Sequence, residues 1–344
     1  GAEFKPLCGG DKDLVFANGF GTAAKDHGAR VVVTNDGGIA VIATTGDFSD
    51  PKHGVLLRLN GAGNKVWQRT YGPGKDNSLH ALAELADGGF VLAGQMVEES
   101  GNYGDMWMIR TDKDGKVDGA GTWEYKEGYP KYTDIAFGVT VGHEGALVMV
   151  GQTRSTNTDQ IDGRMFAVTP QGKPLWDLIA SGSNTDILYD VVKTPKGYAA
   201  AGESYGTGKG MWLVAADKKG KELWQNHYGK TSSDRAHAIT TWSGGTVIAG
   251  RATTYACMWV VAVDENGAEQ WKYELCDNQT EEAYDIAAIG AGGKDGFAVF
   301  GRSSTGGTDA LLVRLSPFGG ELFRQRMQKY HGGGDARGYG IATM

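Results

Sequence analysis

Proline and cysteine are scarce in this chain: 344 residues hold 8 prolines and 3 cysteines. No two cysteines are close enough for a zinc knuckle or a Cys-x-x-Cys redox motif. No apolar run is long enough to cross a bilayer as a helix. A basic excess is also missing. Lys plus Arg total 34 against 41 for Asp plus Glu, and the formal net charge of -7 argues against a nucleic-acid or anionic-membrane surface. Helical periodicity is absent as well. The apolar runs are short and bounded by Gly and Asp, as strands are.

Glycine, by contrast, is abundant at 55 residues, and without a collagen-like period it implies many tight turns between short strands. Those turns recur. A strand-end residue is followed by Gly three positions on and by an aromatic seven positions on: Asn60, Gly63 and Trp67; Thr169, Gly172 and Trp176; Asp217, Gly220 and Trp224; Asp264, Gly267 and Trp271; Ser316, Gly319 and Phe323. Asp112 and Gly115 begin the same way, with an insertion before Trp123. A second mark is a small-residue strand ending at Gly94, Gly151, Gly202, Gly250 and Gly301. A third is an acid before the first strand of each unit: Asp26, Asp76, Asp134, Asp186, Asp234, Glu281 and Asp335. The units span 26–72, 76–129, 134–182, 186–229, 234–276 and 281–328, each about 50 residues with four strands, here lettered a to d.

Tandem four-stranded units predict an all-β chain forming a single β-propeller domain over 1–344. The ends decide the blade number. Residues 335–344 read as a further strand a, and residues 1–21 as strands c and d. The sequence therefore favours seven blades over six, with the closing blade (1–21 plus 335–344) shared by the two termini. With no strand b in sight, that blade would offer an edge to a partner strand.

The stretch SDRAHAITTWSGGTVIAG, followed by MWVVAVDENGAEQW, resembles the repeats of bacterial extracellular β-propeller proteins, and the likeness runs along nearly the whole chain. It implies an exported bacterial protein serving in binding or as a scaffold. The turn DENGAEQW is also distantly similar to the tryptophan docking motif of quinoprotein dehydrogenases. It lacks one residue between acid and Gly, and no adjacent cysteine pair accompanies it. Pyrroloquinoline quinone is accordingly not expected, and no cofactor is predicted.

Strands c and d of the fifth unit form a hairpin around Glu265–Gly267. Facing residues of an antiparallel pair keep a constant index sum, so if Ala262 faces Trp271, Cys257 faces Cys276. Facing Cα atoms lie about 4.5–5.5 Å apart, within disulfide reach. A Cys257–Cys276 disulfide implies an oxidising compartment, the periplasm or the cell exterior. Cys8 is left over.

The d–a and b–c connections share one face of such a ring and are long and irregular, among them GDFSDPKH, RSTNTDQIDGR and SYGTGKG. Variable loops on a rigid frame are where recognition resides, here of a protein or polysaccharide. The acids fall on the same face. Asp76, Asp134, Asp186, Asp234 and Glu281 either attract a divalent cation to the channel mouth or cap their own turns. Three residues into the strands stand His80, Phe137, Tyr189, His237, Tyr284 and Tyr339, with Ala29 in the first unit, as candidates for a ring lining that mouth. Inter-blade packing is the competing role. Trp67, Trp107, Trp176, Trp212, Trp224, Trp259 and Trp271 recur at fixed offsets and are assigned to the core, while Trp242 falls in the a–b turn. Gly202-Glu-Ser-Tyr-Gly206 matches the nucleophile-elbow pattern but not its strand–turn–helix context.

Three functions follow from the sequence. The first is a non-enzymatic binding or scaffold propeller. The second is an enzyme at the channel mouth (a lyase, glycan hydrolase or cofactor-dependent oxidoreductase). The third is a structural subunit of a surface assembly.

Overall fold

The computed structural model describes residues 26–45, 53–72, 76–97, 103–129, 131–154, 160–181, 184–206, 210–253, 256–277, 280–304, 308–327 and 340–343. These residues form six four-stranded antiparallel sheets, each with its strands in chain order. The blades cover 26–71, 78–127, 135–180, 186–227, 235–275 and 280–327. Besides strands there are two single turns of 3-10 helix, His143–Gly145 and Ala291–Gly293.

The propeller thus has six blades, not the seven that the sequence favours. Residues 1–21 and 335–339 lie outside the described residues, and residues 340–343 form no strand. A lone strand-like segment cannot build a blade without sheet partners. Instead, Ile341 N–H donates to Asp285 Oδ2 at 2.8 Å and Thr343 Oγ1 to the Ala288 carbonyl at 2.7 Å. Both acceptors lie on the innermost strand of blade 6, Thr280–Ala288.

The turn signature has a simple cause. Asp217 Oδ1 accepts the N–H groups of Lys219 and Lys221 at 2.8 and 2.9 Å, and Asp264 Oδ1 does the same for Asn266 and Ala268. The side chain organises the turn, and the glycine three positions on takes the left-handed conformation, with φ of 78° at Gly220 and 83° at Gly267. The aromatic at the seventh position then packs under the turn glycine of the next blade: Trp67 lies against Gly115, Trp176 against Gly220 and Trp271 against Gly319. Trp107, Trp212 and Trp259 are buried within the blades. Apolar clusters fill the five interfaces between consecutive blades, from blades 1 and 2 to blades 5 and 6. The predicted hairpin register holds: Ala262 faces Trp271, and Cys257 and Cys276 are joined in a disulfide.

Every innermost strand carries a β-bulge at the same repeat position. The ladder skips Ala29, His80, Phe137, Tyr189, His237 and Tyr284. The bulge explains the repeat glycine opposite it in blades 2–6. A Cβ at Gly202 would meet the Ile187 carbonyl oxygen at 1.8 Å, and one at Gly250 the Arg235 oxygen at 1.9 Å.

Candidate functional site: the mouth of the channel

Because a bulge re-aims its side chain, the residues that the ladder skips turn their rings toward the axis. The rings touch in sequence from blade 2 to blade 6. Centroids are 5.3 Å apart for His80–Phe137 and 5.5 Å for Phe137–Tyr189, Tyr189–His237 and His237–Tyr284. The arc ends at blade 1, where the unpaired residue is Ala29, and Tyr339 lies outside the described residues. His80 and His237 are separated by two intervening rings, so no single metal joins them.

Two of the acids, Asp134 and Asp234, cap the loops around them. Asp134 is fully buried and accepts the N–H groups of Tyr129 and Arg154 at 2.7 and 3.2 Å, with a further bond from the Thr153 hydroxyl. Asp234, also fully buried, accepts from Lys230, Thr231 and Thr253 N–H at 2.6–2.8 Å. These bonds tie the d–a loop to the b–c loop. Burial pushes the Asp134 carboxyl up, whereas at Asp234 the backbone donors outweigh burial and hold it down. Glu281 accepts from Ser303 Oγ at 3.1 Å, and Asp186 is buried in the same position of blade 4. In blade 2 the cap is Asn77, buried and accepting Val97 N–H at 2.9 Å, while Asp76 is exposed. Among the described residues, the one His/Cys/acid group with metal-ligand spacing is Cys257, Glu274 and Cys276, whose sulfurs are bonded to each other.

Sequence reasoning missed the polar groups that alternate with the rings. Glu203, 3% exposed, accepts the Tyr189 hydroxyl and lies 3.3 Å from Arg235 Nε. Glu282, 4% exposed, takes His237 Nε2 at 3.0 Å, Tyr284 OH at 2.9 Å and Arg302 Nη2 at 2.8 Å. Burial works against the Glu282 charge, but His237 first, then Tyr284 and the Arg302 charge, prevail and hold its carboxyl at about 2. Burial and then the neighbouring Glu203 push the Tyr189 hydroxyl up. A signal for these residues existed. The position after the repeat glycine reads Gln95, Gln152, Glu203, Arg251 and Arg302, and the one two before the unpaired residue reads Ser78, Ile135, Ile187, Arg235 and Glu282. Chemistry that varies at fixed repeat positions marks work other than building the blade.

Beneath the rings lies an axial cavity of 330 Å³, walled by all six innermost strands and by Ile341, Ala342 and Thr343. Arg30 of blade 1 enters it. It pairs with Asp190 of blade 4 at 2.9 Å and with Asp285 of blade 6 at 3.1 Å. Asp190 Oδ2 also accepts Ile239 N–H of blade 5 at 3.1 Å. Burial, opposed by Arg30, raises the Asp285 carboxyl to about 6.

No protein-family model matches the chain, and no curated protein matches it by sequence. Solved structures do. One is a candidate 6-phosphogluconolactonase from Bacteroides uniformis, 12% identical, with a TM-score of 0.53 over 87% of this chain and 88% of that one. Another is a glucose dehydrogenase, 10% identical, with a TM-score of 0.50 over 90% of this chain and 99% of that one. The shared property is the propeller. At such identities the likeness extends to fold alone, and the activities in those names belong to those proteins.

Proposed function

We propose that this protein is an exported binding propeller whose channel mouth, on the long-loop face, holds one unit of a polysaccharide. One observation carries the reading: the ring arc of Tyr189, His237 and Tyr284 is interleaved with ionised and hydrogen-bonding groups, Glu203, Glu282, Arg235 and Arg302. Ring faces stack on the apolar side of a sugar, and carboxylates and guanidiniums bond its hydroxyls. The low pKa of Glu282 suits an acceptor of hydroxyl hydrogen bonds rather than a general acid. The Cys257–Cys276 disulfide supports an oxidising compartment, and the repeat likeness supports a bacterial periplasm or exterior.

The test is calorimetric titration with neutral and acidic oligosaccharides, on wild type, His237→Ala and Glu203→Gln. Binding that weakens about tenfold or more in both variants, with folding retained and no product by chromatography, is the expected outcome. Absence of binding across the panel sinks the reading, and catalytic cleavage of a sugar would replace it with the enzyme.

A further inference from the structure

The two ends of the arc differ in charge. At the mouth between blades 4 and 5, Glu203 is answered by Arg235, and the charges cancel. Between blades 5 and 6 they do not. Val247, Ala249 and Met258 of blade 5 pack with Ala283, Phe297 and Val299 of blade 6. Side chains alternate along a strand, so Arg251 projects from the same face as Val247 and Ala249, toward blade 6. By repeat position it corresponds to Glu203, and its counterpart across the interface is Glu282. That carboxylate is already held by His237, Tyr284 and Arg302. Among the described residues Arg302 reaches this carboxylate and Arg251 does not.

Two further observations bear on Arg251. It stands directly opposite Arg235 in the ladder, a like-charge pair that costs stability where opposite charges would add it. Its Nε is shut off from solvent without a hydrogen-bond acceptor, as Arg235 Nε also is, but Arg235 has the Glu203 carboxylate at 3.3 Å, whereas Arg251 has no ion pair among the described residues. A partly desolvated guanidinium without a carboxylate partner is expensive; Arg251 is half-buried, and an oxyanion meeting its accessible side satisfies it through charge-assisted bonds.

We infer that the channel mouth, where blade 5 meets blade 6, binds an oxyanion substituent of the sugar, a carboxylate or sulfate ester, with Arg251 as the group that contacts it and His237 and Tyr284 beside it. This rests on the sugar-binding reading and adds the charge of the ligand. It also gives the Arg235–Arg251 opposition a role: the unliganded site bears a repulsion that the anion relieves.

Arg251→Gln and Arg251→Lys, with wild type, are titrated against one oligosaccharide backbone in three forms: neutral, uronic-acid-bearing and sulfated. The anionic forms are expected to bind wild type about tenfold or more tightly than the neutral one, an advantage that falls with salt and vanishes in Arg251→Gln. The form with the larger advantage identifies the oxyanion. Arg251→Lys keeps charge but not the planar fork and should retain part of it. Melting temperature separates a ligand contact from a structural role, because relieving the Arg–Arg opposition leaves Arg251→Gln as stable as wild type or more so. Neutral and anionic sugars binding equally, or a melting temperature that drops in Arg251→Gln, would overturn the inference while sugar binding stands. If no sugar binds any variant, the sugar-binding reading itself fails, and this inference with it.

Discussion

At the scale of single residues, half-buried His80 and buried Asp285, on neighbouring levels of the channel, have opposite responses to pH. Burial lowers His80 to about 4, so between that value and its ordinary 6.5 the unfolded chain binds the proton more tightly, and stability is lost as pH falls through that window. Burial raises Asp285 to about 6 from 3.8. Between those values the folded chain binds the proton more tightly, and stability is gained as pH falls. The two nearly offset each other from pH 6 to 5. A His80→Gln variant should therefore gain stability on acidification across this range, an Asp285→Asn variant should lose it, and wild type should change little. Urea denaturation at pH 7, 6 and 5 checks all three. Neither group's titration was legible in the sequence, since His80 and Asp285 acquire it from burial by blades distant along the chain. The position of His80 was legible, because it recurs with the repeat. The acid series was legible apart from blade 2, where counting back three residues from His80 gives Asn77 rather than Asp76.

At the scale of the element, the hairpin of blade 5 was readable in full. Two facing residues fix all others in an antiparallel pair, so the Cys257–Cys276 disulfide followed from the placement of Ala262 against Trp271. Closing a loop of this length restricts the unfolded chain by about 3 kcal/mol in the loop-entropy account. Reduction, or a Cys257→Ser/Cys276→Ser double substitution, should lower unfolding stability by about that amount. Guanidinium denaturation with and without reductant measures it, and the reductant should have no effect on the double variant. The bulges were not readable. A skipped residue leaves no mark on a strand's apolar alternation beyond the glycine opposite it, and blade 1 lacks even that, with Ala43 in place.

At the scale of the whole molecule, the misjudged blade number shows what sequence periodicity leaves out. ARGYGIATM matches the start of a unit, but Ile341 bonds a carboxylate instead of entering a ladder. The join between blades 6 and 1 is instead marked by the Arg30–Asp285 pair and by residues 340–343, and Arg30 reaches across to Asp190 as well. Arg30→Met would leave two carboxylates facing each other in a closed space. It should cost about 3–5 kcal/mol, the range for breaking a buried pair from one side. The triple variant Arg30→Met/Asp190→Asn/Asp285→Asn should recover part of that loss, as thermal melts at pH 7 would record.

The bulge has one more consequence. A residue that the ladder skips owes nothing to its strand, so exchanging its side chain breaks no backbone bond. The six skipped positions act as sockets on a fixed hub, already fitted with alanine, two histidines, phenylalanine and two tyrosines. If the mouth holds a sugar as proposed, its preference can change one socket at a time, without the hub folding anew.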